Sequence, residues 1–170
     1  MNYKKLIREV PDFPKPGILF YDITTLLKDR EAFKSIIGDL TALYRTHKVA
    51  KVVGIESRGF ILGGPLAHQL GAGFVPVRKP GKLPADIFEV KYNLEYGSNS
   101  LAVHRDSIAM GERVLIVDDL LATGGTAAAT VNLVRQLGGE IVGLAFLVEL
   151  QSLKGREQLG GCEVQALIQY

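Results

Sequence analysis

Two adjacent carboxylates, Asp118 and Asp119, stand between four apolar residues, Val114-Leu-Ile-Val117, and a small-residue turn, Ala122-Thr-Gly-Gly-Thr126. Carboxylates accept hydrogen bonds from hydroxyls, and an acidic side chain beyond a strand binds the ribose diol in dinucleotide folds. Gly124 and Gly125 allow positive φ, so successive backbone N–H groups can converge on one concavity, joined by the free N–H groups of a following helix. Such a nest holds a phosphate, and the hydroxyls of Thr123 and Thr126 add donors to it. The turn has no lysine and departs from G-x-x-x-x-G-K-[ST], which argues against a nucleoside triphosphate cradle. A terminal monophosphate beside a vicinal diol describes a ribose 5-phosphate. A lone Gly-Gly pair with two capping acids would be an ordinary turn; the whole string in this order favours the anion site.

The elements that must hold these groups follow from the apolar pattern. A continuous rather than alternating run at 114–117 suits a strand buried on both faces of a parallel sheet, and ligands bind beyond the carboxyl ends of such strands. The alanine-rich segment after Thr126 reads as a helix ending at Gly138-Gly139. Residues 51–55 form a second buried strand followed by the turn Glu56-Ser-Arg-Gly59, with Pro65 expected at the start of the next short helix; this makes a second anion loop. A strand at 74–77 leads into Arg78-Lys-Pro-Gly-Lys82, where three cations in five residues repel one another unless an anion or solvent satisfies them. Mixed apolar and charged residues at 86–104 suggest a mobile hairpin lid. Further strands are expected at 140–148 and at 163–168, the last at a sheet edge or in a hood. Near the start, Tyr3, Leu6, Ile7 and Val10 have helical spacing, ended by Pro11. Asp29 is placed to cap a helix with Phe33, Ile36, Ile37, Leu40, Leu43 and Tyr44 on one face. Helices alternating with strands imply one α/β domain over residues 1–170, a doubly wound, mainly parallel sheet flanked by helices.

Composition narrows the class. A chain of 170 residues, 47% hydrophobic and 22% charged, can bury a core without staples. The net charge of +2 is mild and the basic residues are dispersed, which argues against nucleic acid as partner. A single cysteine, Cys162, excludes an intramolecular disulfide framework. The opening Met1-Asn-Tyr-Lys-Lys-Leu lacks the apolar core of a signal peptide and no apolar run approaches membrane-spanning length, so a cytoplasmic protein without membrane contact is expected. His47, His68 and His104 lack metal-ligand spacing and read as structural histidines.

The string at 114–126 resembles the ribose-phosphate signature of the type I phosphoribosyltransferases, and Phe13-Pro-Lys-Pro-Gly-Ile-Leu-Phe-Tyr-Asp22 resembles the opening segment of their adenine-accepting branch. The resemblance runs along nearly the whole chain. It implies a fold with a small hood, from about residues 1–25 plus the C-terminal segment, and a lid over about 83–103. It also implies transfer of ribose 5-phosphate from phosphoribosyl pyrophosphate to N9 of adenine. Asp118, Asp119, Ala122, Thr123, Gly124, Gly125 and Thr126 would then bind the phosphoribosyl group. Ser57, Arg58, Arg78, Lys79, Lys82 and Tyr96 would bind pyrophosphate, with a cis peptide between Glu56 and Ser57. Phe20 would stack on the purine, the main chain of Leu19 and Tyr21 would read its edge, and Leu150 would close the slot opposite Phe20. Leu94-Glu-Tyr-Gly97 matches the family's lid, which makes Glu95 the general acid/base. Residues 86–91 align with no assigned role. The family further implies Mg2+ held by substrate oxygens and water, with Asp118 or Asp119 in its outer shell and no direct protein ligand, and a homodimer.

Two other readings stand beside this one. A transferase for a 6-oxo purine should place a lysine against O6, and none is evident beside Phe20 or Leu150. A regulatory module that senses phosphoribosyl pyrophosphate without catalysis would have no use for Glu95, and would bring an extra nucleic-acid-binding domain or a basic face.

Overall fold

The computed structural model describes residues 1–93 and 98–170 and divides into two compact units, Met1–Asp39 and Leu40–Tyr170. In chain order the strands are β1 (Arg8–Pro11), β2 (Leu19–Asp22), β3 (Lys51–Ile55), β4 (Gly73–Val77), β5 (Ile87–Asn93), β6 (Ser98–His104), β7 (Arg113–Leu121), β8 (Glu140–Glu149) and β9 (Val164–Gln169). The helices are α1 (Thr24–Leu27), α2 (Arg30–Tyr44), α3 (Arg58–Leu70) and α4 (Gly125–Gln136).

The second unit is built on a five-stranded parallel sheet in the order β4-β3-β7-β8-β9. Consecutive residues of its central strands are buried, among them Val52 and Val53, Leu115, Ile116 and Val117, and Leu144, Ala145 and Phe146. Burial of neighbouring side chains, which point to opposite faces, requires cover on both sides of the sheet. From β3 the chain moves outward to β4, and from β7 it moves the other way to β8 and β9, so the order reverses between β3 and β7. Such a reversal parts the connecting loops at the strands' carboxyl ends and opens a crevice. The last strand, expected at an edge or in a hood, is the sheet's edge beside β8.

Pro65 does not begin a helix. Helix α3 starts at Arg58 and carries Pro65 in its interior. A mid-helix proline forfeits a hydrogen bond, and here packing compensates. Gly59 and Gly63 let the helix lie against the sheet so closely that a Cβ at Gly59 would fall 2.8 Å from the Val117 carbonyl, and one at Gly63 would fall 2.8 Å from the Phe74 ring. Leu62, Leu66 and Ala67 are buried on the same helix.

The hairpin expected at 86–104 is present as β5 and β6, paired antiparallel from Ile87 with His104 to Asn93 with Ser98. Its base is anchored: Leu101, Ala102 and Val103 are buried, and Ala102 exchanges backbone hydrogen bonds with Arg78 at 2.9 and 2.7 Å. Residues 94–97, and with them Glu95 and Tyr96, lie outside the described residues.

In the first unit the expected N-terminal helix is replaced by a single 3-10 turn, Tyr3–Leu6, followed by β1. Strand β1 pairs antiparallel with β2, Val10 opposite Phe20 and Pro11 opposite Leu19. Four apolar residues spanning two turns are too few to sustain a helix, whereas β2 satisfies the backbone of residues 8–11 directly. The capping role read for Asp29 is present, since Ala32 N–H donates to Asp29 Oδ1 at 2.8 Å. The buried stripe of α2 runs through Ala32, Ile36, Leu40 and Tyr44 with Ile37 beside it, and Leu43, expected on that face, is 39% exposed.

Tyr44 is fully buried, with its ring on Gly143, where a Cβ would come within 2.8 Å of it, and its hydroxyl donating to the Leu144 carbonyl at 3.2 Å. Tyr44→Phe is expected to cost about 1 kcal/mol, the net worth of one hydrogen bond, and Tyr44→Ala about 3–5 kcal/mol through the cavity left behind. Urea unfolding followed by circular dichroism checks both values.

Candidate functional site

Strand β7 runs four residues beyond its apolar core, so Asp118 and Asp119 lie within the strand's end rather than in the loop after it. Asp119 is buried, 5% exposed, and its Oδ2 receives the Arg58 guanidinium at 2.9 Å. Asp118 is half-buried and its Oδ1 accepts the Asp119 N–H at 2.9 Å. Burial, and next the neighbouring Asp119 carboxylate, push the Asp118 carboxyl well above its ordinary value. Burial raises Asp119 too, opposed by Arg58. The pair is therefore poised to gain from hydroxyl donors or positive charge brought alongside it.

The turn beyond β7 has the geometry of an anion nest. Gly124 sits at φ +89°, in the left-handed region, while Gly125, also read as a positive-φ glycine, is the first residue of α4. The difference is helical: once α4 begins at Gly125, only the residue before it must reverse the chain. The first helical bond is Ala128 N–H to the Gly124 carbonyl at 2.8 Å, which leaves the amides of Gly125, Thr126 and Ala127 ahead of the ladder. Gly124, at the N-cap, supplies no side-chain cap to this helix end. These groups open into a cavity of about 280 Å³ lined by residues 118–127 on one side and by Glu56, Ser57 and Arg58 on the other. Positive helix-end potential, free amides, two threonine hydroxyls and an acid pair thus share one hollow at the β3/β7 reversal.

Glu56 and Ser57 are joined by a cis peptide. The cations at 78–82 converge on Glu56. Arg78 donates through Nε and Nη2 at 3.3 Å, Lys82 Nζ at 2.7 Å and the Lys79 amide at 3.0 Å. The Glu56 side chain is only 8% exposed. The hydrogen bond from Lys82, helped by the Lys79 amide and Arg78 and opposed by burial, holds its carboxyl down to about 2 from 4.5. The anion that satisfies the basic segment is thus partly supplied by the chain itself. Sequence reasoning gave Glu56 no role, although an acid directly preceding Ser57 and Arg58 was the available signal.

Tyr92 was also missed: its hydroxyl lies 3.3 Å from Thr126 Oγ1, so β5 reaches the first turn of α4. No periodicity in the hairpin pointed to it. Leu150 follows β8, half-buried, and its N–H donates to the Leu121 carbonyl at 2.9 Å. Leu19, Phe20 and Tyr21 stand on β2 of the first unit. Phe20 meets Phe13 edge-to-face at 5.1 Å and Leu19 is 43% exposed. Among the described residues no three His, Cys, Asp or Glu side chains gather to hold a metal ion.

The depressed folded-state pKa of Glu56 makes its contribution to stability full above 4.5, the ordinary value, and lost as pH falls toward 2. Urea unfolding at a series of pH values should therefore show Glu56→Gln less stable than the parent by a steady margin above pH 4.5, and by a shrinking margin down to about pH 3. A margin that widens on acidification contradicts the assignment.

Comparison with known proteins bears on this geometry. A family model described as "Phosphoribosyl transferase domain" matches residues 24–162. A protein of Acidobacterium capsulatum named adenine phosphoribosyltransferase is 62% identical over 98% of this chain and 92% of its own length. The crystal structure of adenine phosphoribosyltransferase from Thermoanaerobacter pseudethanolicus superposes with a TM-score of 0.96 at 51% identity, covering 99% of this chain and 98% of that one. That of Saccharomyces cerevisiae, solved with an imino-altritol bisphosphate and adenine, superposes with a TM-score of 0.93 at 41% identity, covering 97% and 96%. With the family model spanning residues 24–162 around the hollow at the β3/β7 reversal, the chain belongs to the phosphoribosyl transferase domain family.

Proposed function

We propose that this chain is an adenine phosphoribosyltransferase: it transfers ribose 5-phosphate from phosphoribosyl pyrophosphate to N9 of adenine, giving AMP and pyrophosphate. The observation that carries the phosphoribosyl part is the hollow beyond β7, where uncapped amides of residues 125–127 stand beside Asp118 and Asp119. The choice of adenine is supported by the segment at 13–22 and by full-length similarity to proteins that bear that name.

In this reading the turn at 122–126 receives the 5-phosphate, and Asp118 and Asp119 accept the ribose hydroxyls. Ser57 and Arg58 face the same hollow and, with Arg78, Lys79, Lys82 and Tyr96, take the pyrophosphate. Leu19, Phe20, Tyr21 and Leu150 are assigned to the base. Displacement at C1 passes through an oxocarbenium-like state, so alignment, neutralisation of the leaving group and exclusion of water are the protein's main tasks. The acid pair fits a divalent cation held mainly by substrate oxygens and water, because Asp118 carries an ionisation penalty that a nearby positive charge would relieve. Mg2+ bound there would supply charge neutralisation at the leaving pyrophosphate. Arg58, already held by Asp119, presents its guanidinium without a reorganisation cost. A homodimer working in the cytoplasm completes the proposal.

Pyrophosphate release measured with phosphoribosyl pyrophosphate, Mg2+ and each of adenine, hypoxanthine, guanine and xanthine tests it. Release with adenine alone is expected. Release with an oxopurine would assign the chain to that class, and binding of phosphoribosyl pyrophosphate without any release would make it a sensor. Glu95→Gln should retain phosphoribosyl pyrophosphate binding and lower kcat by about 10^2 to 10^4; near-normal kcat would remove Glu95 from the mechanism.

A further inference from the structure

Where β8 passes into the segment before β9, the buried Glu149 carboxylate pairs with Arg156, whose side chain is 43% exposed, and no step of the proposed reaction uses the pair. Two 3-10 turns, Gln151–Leu153 and Gly155–Leu159, are joined by Lys154 at φ +52°. Gly155 is buried against the phosphate turn. A Cβ on Gly155 would collide with the Ala122 carbonyl and lie 2.9 Å from the Leu121 side chain; a Cβ on Gly124 would collide with the Gly155 carbonyl. The two backbones touch because neither glycine has a side chain.

The residue after Gly155 is tied at three points. The Arg156 guanidinium makes a two-pronged contact with Glu149, Nε to Oε1 at 2.6 Å and Nη2 to Oε2 at 2.7 Å, and its Nη1 donates to the Val164 carbonyl at 2.9 Å. Glu149 ends β8, is 5% exposed, and accepts a further bond from Gln169 Nε2 at 3.2 Å. One arginine thus ties the ends of β8 and β9 to the residue on which the turn rests. An ion pair open to solvent on one side generally contributes little net stability, whereas its planar, bidentate geometry fixes orientation. Its worth here is sought in position.

We propose that Glu149 and Arg156 are positioning residues for the phosphoribosyl donor: by holding Gly155 behind residues 122–124 they set the direction of the amides that receive the 5-phosphate. The inference rests on the proposed reading of that hollow. It predicts an effect carried mainly by the donor, since the turn loses its support while Leu150, the residue after Glu149 that is assigned to the base, keeps its own backbone bond to the Leu121 carbonyl.

The test compares Arg156→Lys and Glu149→Gln with the parent chain, each confirmed folded by circular dichroism and thermal melting. KM is measured separately for phosphoribosyl pyrophosphate and for adenine, and ribose 5-phosphate binding by calorimetry. Expected for both variants are a ten- to hundredfold rise, roughly, in donor KM and in the ribose 5-phosphate Kd, with adenine KM within about twofold. The double variant should be no worse than the poorer single one, because the two side chains act as a unit. An unchanged donor KM, an equal rise in both KM values, additive losses, or failure of both single variants to fold would overturn the proposal. A parent chain that binds ribose 5-phosphate yet releases no pyrophosphate overturns the functional reading instead and leaves the binding comparison in force.

Discussion

The site depends on one stretch of backbone that has to remain bare. Beyond β7 the chain must reverse, start a helix and leave its first amides pointing into a hollow, and it does so with Gly124 at positive φ and with no side chain capping α4. A Cβ at Gly124 would be strained twice, by its own φ and by the Gly155 carbonyl behind it. Three features of the second unit bear on that turn. The buried strands hold β7 rigid, Gly59 admits α3 close to Asp118, and Gly155 backs the turn from the other side.

Charge in the site is largely paired before any ligand arrives. Asp119 holds Arg58, and Glu56 gathers Arg78 and Lys82. Such pairs bear a desolvation cost but remove the need to reorganise flexible cations when an anion enters, which is how fixed dipoles and charges act most strongly on a developing charge. Asp118 stands outside this arrangement. Its acidity is suppressed mainly by burial and next by its neighbour, so positive charge entering the hollow would favour its ionised form.

The hairpin is joined to the same centre at two places. Strand β6 is stitched to Arg78 through Ala102, and Tyr92 on β5 reaches Thr126. Both ends of the proposed donor site, the cationic segment and the phosphate turn, therefore share contacts with one antiparallel ribbon. This coupling is topological: β5 and β6 intervene between β4 and β7, at the point where the chain crosses from one flank of the sheet to the other.

Local physics made much of this legible in the amino-acid string. Stretches free of charge at 52–55 and 114–117 identified buried parallel strands, Asp29 identified a helix start, and the order of acids, glycines and threonines located a strand end, a tight turn and the start of α4, because each depends on residues adjacent in the chain. Long-range partners decided the rest. The helical spacing of Tyr3, Leu6, Ile7 and Val10 yielded to pairing with β2, and Pro65 was absorbed into α3 because the glycines facing the sheet allowed close packing. Glu56 found its cations more than twenty positions away, with Lys82 26 residues on, and Glu149 at the end of β8 met Arg156 and Gln169. A chain can write its turns and strands locally, but which charges meet depends on where the strand order reverses, and that is settled only when the sheet closes between β3 and β7.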